Sequence, residues 1–278
     1  MELLINVKQT EALRRSIHQA RETFCNGLFL SARWFVVSAA AHEGINLIVL
    51  PNREAAEYCA ADLYHLTEGD CVFYLPDSGK NLEKSNFKAS LGVQRTSAIG
   101  KILNASAEKI FLVTYPEALS EPVPAAGTIQ NTALQLRKEL EISHEKLVER
   151  LDSLGFERVD FVARPGQFAI RGSIVDIFSF SWNDPYRISF FGNEIESISM
   201  FDVNTQLSKA ETDAVDIVPD LSVREEEGVS LASMLPKDAL VWLDSSDMYR
   251  QQAFFPSLEA FRRVFLETPL SAGKAEVI

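Results

Sequence analysis

The chain has 278 residues, 46% of them apolar and 24% charged, a balance that excludes a disordered chain and leaves room for two globular domains. Its 27 basic residues against 39 acidic ones give a formal net charge of −12, which repels a phosphate backbone on average and confines nucleic-acid contact to a local basic patch. Cys25, Cys59 and Cys71 show neither CxxC spacing nor clustered histidines, so a disulfide framework and a zinc site are both disfavoured and buried thiols in a reducing cytoplasm are expected. No segment has the apolar length of a membrane span, and Glu11 to Thr23 reads as a mixed helix rather than a signal peptide.

In chain order, residues 10 to 115 alternate helical stretches with short apolar runs at Gly27 to Leu30, Asn46 to Leu50, Cys71 to Leu75 and Lys109 to Thr114. Such alternation predicts a parallel sheet with crossover helices. Between the runs, Arg53 to Leu66 carries Ala56, Cys59, Ala60 and Leu63 at helical spacing, and Asn86 to Leu103 is a helix candidate interrupted by Gly92 and Gly100. Two prolines and a glycine within Ser120 to Gly127 disfavour helix and central strand, which sets a domain boundary there. Thr132 to Ile142 then alternates Leu134, Leu136, Leu140 and Ile142 as a strand would. Ser143 caps a helix reaching Leu154, with Leu147, Val148, Leu151 and Leu154 on one face and Gly155 as its stop.

The stretch from Arg164 to Ser208 is the most informative. Pro165-Gly166 makes a turn, Phe168 to Ile170 and Ser173 to Phe178 are strands, and Asn183 to Pro185 is a second turn. Gly192-Asn193 then joins Tyr186–Phe191 to Glu194–Met200 as a tight hairpin. Consecutive hairpins give an antiparallel sheet, so residues 128–218 read as an α+β domain. Residues 219–278 open on the acidic Arg224 to Gly228 loop, then hold a buried-strand candidate, Ala239 to Leu243, and a helix-like Ser257 to Phe265. These elements are too few for a core of their own, so the segment either packs back on the first domain, residues 1–120, or is cut from a longer chain.

Gly27 to Trp34 has the register of a phosphate-binding loop without its chemistry. Ala32 stands for the second glycine, Arg33 for the lysine and Trp34 for the magnesium-holding hydroxyl. Leu240 to Asp247 is an apolar strand ending in Asp244, but Ser245 follows where a nucleotide hydrolase carries a second carboxylate, and Asp244 serves equally as a loop or helix cap. His18, His42, His65 and His144 are scattered, and the i, i+3 pair Asp62 and His65 lacks a third ligand. In Tyr186–Phe191, alternation sets Ile188 and Phe190 on one face and Arg187, Ser189 and Phe191 on the other, and Arg171 has the parity opposite to Phe168 and Ile170. Two readings stay open. Arginine and phenylalanine together suit a protein-docking face; alternatively Phe191 packs under a loop and the arginines form surface ion pairs of little worth.

The run Pro165-Gly-Gln-Phe-Ala-Ile-Arg-Gly172, Ile174 to Phe178, Pro185-Tyr-Arg-Ile-Ser-Phe-Phe-Gly192, Glu194 to Ile198 and Phe201-Asp202 resembles the module shared by UvrB and the bacterial transcription-repair coupling factor (Mfd). Val113 to Leu119 resembles the step before that module, and the broken loop and Asp244 fall where UvrB carries working ATPase motifs. The resemblance implies a degenerate P-loop (UvrB/RecA-like) parallel-sheet domain with an inserted antiparallel domain. UvrB keeps an intact phosphate loop and an aromatic-rich DNA-handling hairpin after it. This chain has neither, which favours the coupling factor.

By the same resemblance the inserted module binds UvrA, the damage-recognition ATPase, through Arg171, Arg187 and Phe191. RNA-polymerase binding and ATP-driven DNA translocation are implied for later domains of a longer protein, of which this chain resembles the N-terminal part. The expectation is a noncatalytic, cytoplasmic recruitment module without cofactor or metal that links stalled transcription to nucleotide excision repair. The alternatives are a UvrB-type ATP-dependent enzyme and an autoinhibitory module whose Arg/Phe face is masked by a later domain.

Overall fold

The computed structural model describes residues 7–28, 31–67, 71–79, 86–103, 109–182, 184–221, 228–245, 249 and 252–267. They fall into two compact units: residues 1–77, 101–122 and 229–278 bound the first, and 78–100 with 123–228 the second. Residues 78–100 thus group with the second unit, whereas the sequence reading counts them with the first.

The chain opens with α1 (Val7–Gln19), β1 (Glu22–Asn26), α2 (Ala32–Ala40), β2 (Gly44–Val49), α3 (Arg53–Leu66) and β3 (Val72–Tyr74), then α4 (Asn86–Leu103), β4 (Lys109–Thr114) and α5 (Pro116–Ser120). α3 starts where Asn52 Oδ1 accepts a hydrogen bond from the Ala55 N–H at 2.9 Å, satisfying a donor that the first turn leaves open. The first strand corrects the expected run at Gly27 to Leu30. The strand is Glu22–Asn26, an edge strand of mixed composition that needs no continuous apolar run, and Gly27 ends it with φ +85°. Phe29 and Leu30 lie outside the described residues.

The second unit's remaining elements are β5 (Val123–Pro124), α6 (Ala126–Thr132), β6 (Leu134–Arg137), α7 (His144–Ser153), β7 (Glu157–Arg158), β8 (Gln167–Arg171), β9 (Ile174–Phe178), β10 (Tyr186–Phe191), β11 (Glu194–Phe201), β12 (Ser208–Thr212) and β13 (Ala214–Ile217). Six of these strands form a sheet in the order β12-β11-β10-β9-β8-β7, antiparallel except at β7–β8. Gly172 and Gly192 take φ +60° and +63°, as the first position of a two-residue hairpin turn of the II′ kind demands. Two expectations fail here. Ser120 to Gly127 does hold regular structure, because its prolines stop before α6, whose first turn accepts Gly127. The strand foreseen over Thr132 to Ile142 is only Leu134–Arg137, since Glu139 adopts φ +66° and breaks the alternation. α7 is as expected, with Ser143 Oγ accepting from the Lys146 N–H at 3.2 Å. The Asn183 of the second turn and the acidic loop at 224–227 lie outside the described residues.

The chain then returns through β14 (Gly228–Val229), α8 (Leu231–Met234), β15 (Leu240–Leu243), a helical turn at Phe255–Leu258 and β16 (Arg262–Glu267). The helix expected over Ser257 to Phe265 is overturned: its second half is strand β16. Arg263, Val264, Phe265 and Leu266 are all buried between β1 and β15, where every backbone group must find a ladder partner. The sheet order is β1-β16-β15-β2-β4-β3, with every pairing parallel. The return segment therefore supplies two interior strands. Trp34, Val37, Cys59, Leu63, Phe111 and Trp242 are among the side chains that fill this unit's core. In the second unit, Leu147 and Leu151 of α7 pack on Phe168, Ile177, Ile188 and Ile198 from one face of the antiparallel sheet. A smaller cluster of Val162, Ala169, Phe178 and Phe201 occupies the other face.

Candidate functional site

The face of the antiparallel sheet turned away from α7 carries the arginines. Along β10, Tyr186, Ile188 and Phe190 belong to the larger core, so Arg187, Ser189 and Phe191 alternate onto the opposite side. On β9 the same alternation sends Val175 and Ile177 into that core and Asp176 onto the arginine side. Asp176 stands directly across from Arg187 of β10 and Ala169 of β8, two positions from Arg171. This register brings both guanidiniums to one carboxylate. Asp176 Oδ1 accepts from Arg187 Nε at 2.8 Å, and its Oδ2 accepts from Arg187 Nη2 at 3.0 Å and from Arg171 Nη2.

Asp176 is 1% exposed, while the Arg187 and Arg171 side chains are 20% and 36% exposed, so the carboxylate forms the floor and the cations the surface. The hydrogen bond to Asp176 raises the Arg187 pKa above its ordinary value. Aromatic rings support both cations: Arg187 lies 4.3 Å from the Phe201 ring centre and Arg171 5.1 Å from that of Phe161. Phe161 is 63% exposed and Phe191, opposite Glu194 at the hairpin end, is 80% exposed. Phe191 is therefore not packed under a loop, and the arginines are not isolated surface pairs. The arrangement offers two guanidiniums against one carboxylate, flanked by exposed aromatic carbon, which suits an acidic and partly apolar protein surface. Sequence reasoning missed Asp176 and Phe161. The signal for Asp176 was a single charge inside the apolar strand Ile174–Phe178; nothing marked Phe161.

The four residues of the broken phosphate loop lie in the other unit. Gly27 follows β1, Ala32 is the first residue of α2, and Arg33 pairs with Asp244 at the end of β15. Burial lowers the Arg33 pKa, and its guanidinium lies 4.9 Å from the Trp34 ring centre. Trp34 is buried in the core, so the position that would offer a hydroxyl to magnesium is turned inward. Ser31 Oγ donates to Asp62 Oδ2 at 2.7 Å, which makes Asp62 a partner of this loop rather than of His65. Asp247 lies outside the described residues. Among the described residues no group of three or more His, Cys, Asp or Glu side chains is placed to hold a metal ion, and no helix is long and apolar enough to cross a membrane.

Residues 134–222, which span α7 and the six-stranded antiparallel sheet, match the family described as the UvrB interaction domain. The chain is 29% identical over 223 residues to a transcription-repair-coupling factor of Bacillus subtilis, a match covering 78% of this chain and 19% of that protein. It is 32% identical over 191 residues to the factor of Mycobacterium bovis, covering 66% of this chain and 15% of the relative. The Escherichia coli factor is 33% identical over 108 residues, covering 39% and 9%. The matched part is thus less than a fifth of the length of each of these relatives. Residues 134–222 are thus similar to the UvrB interaction domain, and the chain is similar, over most of its length, to the N-terminal part of transcription-repair-coupling factors.

Proposed function

We propose that this chain is a noncatalytic module that docks UvrA and, as part of a longer coupling factor, brings excision repair to stalled RNA polymerase. The observation that carries the reading is the face built on Asp176, with Arg171 and Arg187 held at the surface and Phe191 exposed on the same side of β10 as Arg187. Its charge-assisted donors fit acidic groups, and Phe191 fits an apolar pocket. Polymerase binding and DNA translocation are assigned to parts of the longer protein beyond this chain. The module is cytoplasmic and needs no cofactor of its own.

Titration of the Arg187→Ala/Phe191→Ala double variant against UvrA tests this. Two hot-spot residues removed together weaken binding by about 2 kcal/mol or more, and an unchanged affinity would eliminate the assignment. The noncatalytic part is supported by the ion pair of Arg33 with Asp244 and by the burial of Trp34, residues that stand in the sequence where a phosphate-binding loop would carry its lysine and its magnesium-holding hydroxyl. Saturable, magnesium-dependent binding of a fluorescent ATP analogue by this chain would instead favour a UvrB-type enzyme.

A further inference from the structure

The docking face contains a residue that never needs to touch the partner. Asp176 is 1% exposed and lies on β9, with β8 on one side and β10 on the other. Its bonds divide unequally. Arg187 meets it as a fork, Nε on Oδ1 and Nη2 on Oδ2, while Arg171 reaches Oδ2 with Nη2 alone. A planar guanidinium forked on Asp176, set over the Phe201 ring and reaching the Gln206 carbonyl and Oε1 at 3.5 and 3.4 Å, has little rotational freedom left. Among the described residues Arg171 has no other side-chain hydrogen-bonding partner, so most of its five donors stay available.

Without the carboxylate, two like charges would face one another across β9, Arg171 without its side-chain hydrogen bond and Arg187 left with the longer contacts to Gln206. From this geometry we infer that Asp176 is the positioning residue of the docking face: it sets the spacing and orientation of Arg171 and Arg187 before the partner arrives. Preorganisation of this kind strengthens binding by removing the cost of ordering two long side chains at the moment of contact. The inference rests on the UvrA-docking reading for its consequence, but its geometry can be tested without UvrA.

Charge arithmetic and positioning predict opposite signs. Two guanidiniums against one carboxylate leave a single net positive charge, and Asp176→Asn raises it to two. If the face worked only as a positive patch for an acidic partner, that change would tighten binding and speed association. Positioning predicts that Asp176→Asn weakens UvrA binding by about tenfold or more, as removal of a buried charged partner does. It also predicts that Arg187→Lys, which keeps the charge but loses the fork, weakens binding as much as Arg187→Ala does.

The first measurement is the Arg187 Nε–H resonance of the chain alone. Protection from solvent exchange in the wild type, lost in Asp176→Asn, is expected; an equally labile signal in the wild type overturns the inference and needs no folded variant. The second is UvrA titration of Asp176→Asn and Arg187→Lys, with melting curves to confirm folding. Binding by either variant at wild-type strength or better also overturns it. If the Nε–H is protected but the wild-type chain does not bind UvrA at all, the docking reading falls while the role of Asp176 in holding the arginines stands.

Discussion

Phe190 and Phe191 are neighbours in one strand and should respond to truncation in opposite ways. Phe191 is 80% exposed and Phe190 5%. A phenylalanine side chain carries roughly 200 Å² of accessible surface. About 40 Å² of Phe191 is therefore already covered in the free chain, and at ~25 cal/mol per Å² its loss in Phe191→Ala costs folding at most ~1 kcal/mol. Docking that covers the remaining area, about 160 Å², would remove surface worth up to ~4 kcal/mol from water. A hot-spot loss of ~2 kcal/mol, roughly 30-fold in Kd, sits comfortably below that ceiling. Phe190→Ala opens a cavity beside Ile188 and Ile195 and should cost ~3–5 kcal/mol of stability. Urea unfolding of both variants and UvrA titration of Phe191→Ala are the assays. The reasoning is refuted if Phe191→Ala destabilises the chain as much as Phe190→Ala, or if it leaves UvrA affinity unchanged.

Three further outcomes follow from local geometry. The Asp202 carboxyl is held down to about 2, first by the Thr205 backbone N–H and then by the Lys209 ammonium. Because the folded value lies below the unfolded one, its contribution to stability is present above about pH 4 and lost as pH falls through about 2. A carboxyl-carbon NMR titration of Asp202 with a midpoint near 4 would contradict this. Gly166→Ala should destabilise the chain by more than ~1 kcal/mol, since Gly166 has φ +83° and a Cβ there would lie 2.6 Å from Phe180 Cζ; chemical denaturation measures it. Ser143→Ala removes the cap that accepts from Lys146 and should cost ~1 kcal/mol, read as a lower unfolding midpoint.

Much of the fold was legible because its causes are local. Arg53–Leu66 announced itself through apolar spacing, His144–Ser153 through apolar spacing and the Ser143 cap, and the hairpin of Tyr186–Phe191 with Glu194–Phe201 through Gly192. Glu139 broke one expected strand locally, but the first and last strands of the parallel sheet were misread because their state depends on neighbours distant in sequence. Glu22–Asn26 becomes a strand by pairing with Arg263 to Glu267, and that same pairing turns the helix-like apolar spacing after Ser257 into β16. Asp244 looked like a remnant of a hydrolase motif, and only the structure shows it joined to Arg33, 211 residues earlier.

For the proposed docking face, the sequence alone settled that Arg187 and Phe191 share a side of their strand and that Ile188 and Phe190 oppose them, because side chains alternate strictly along a pleated strand. It could not settle whether the arginines were pinned or free. That depends on β8, β9 and β10 lying side by side in one register, which sets Asp176 across from Arg187 and within reach of Arg171. Register is a property of hydrogen bonding between strands, and a shift of one residue would send Asp176 into the apolar core instead.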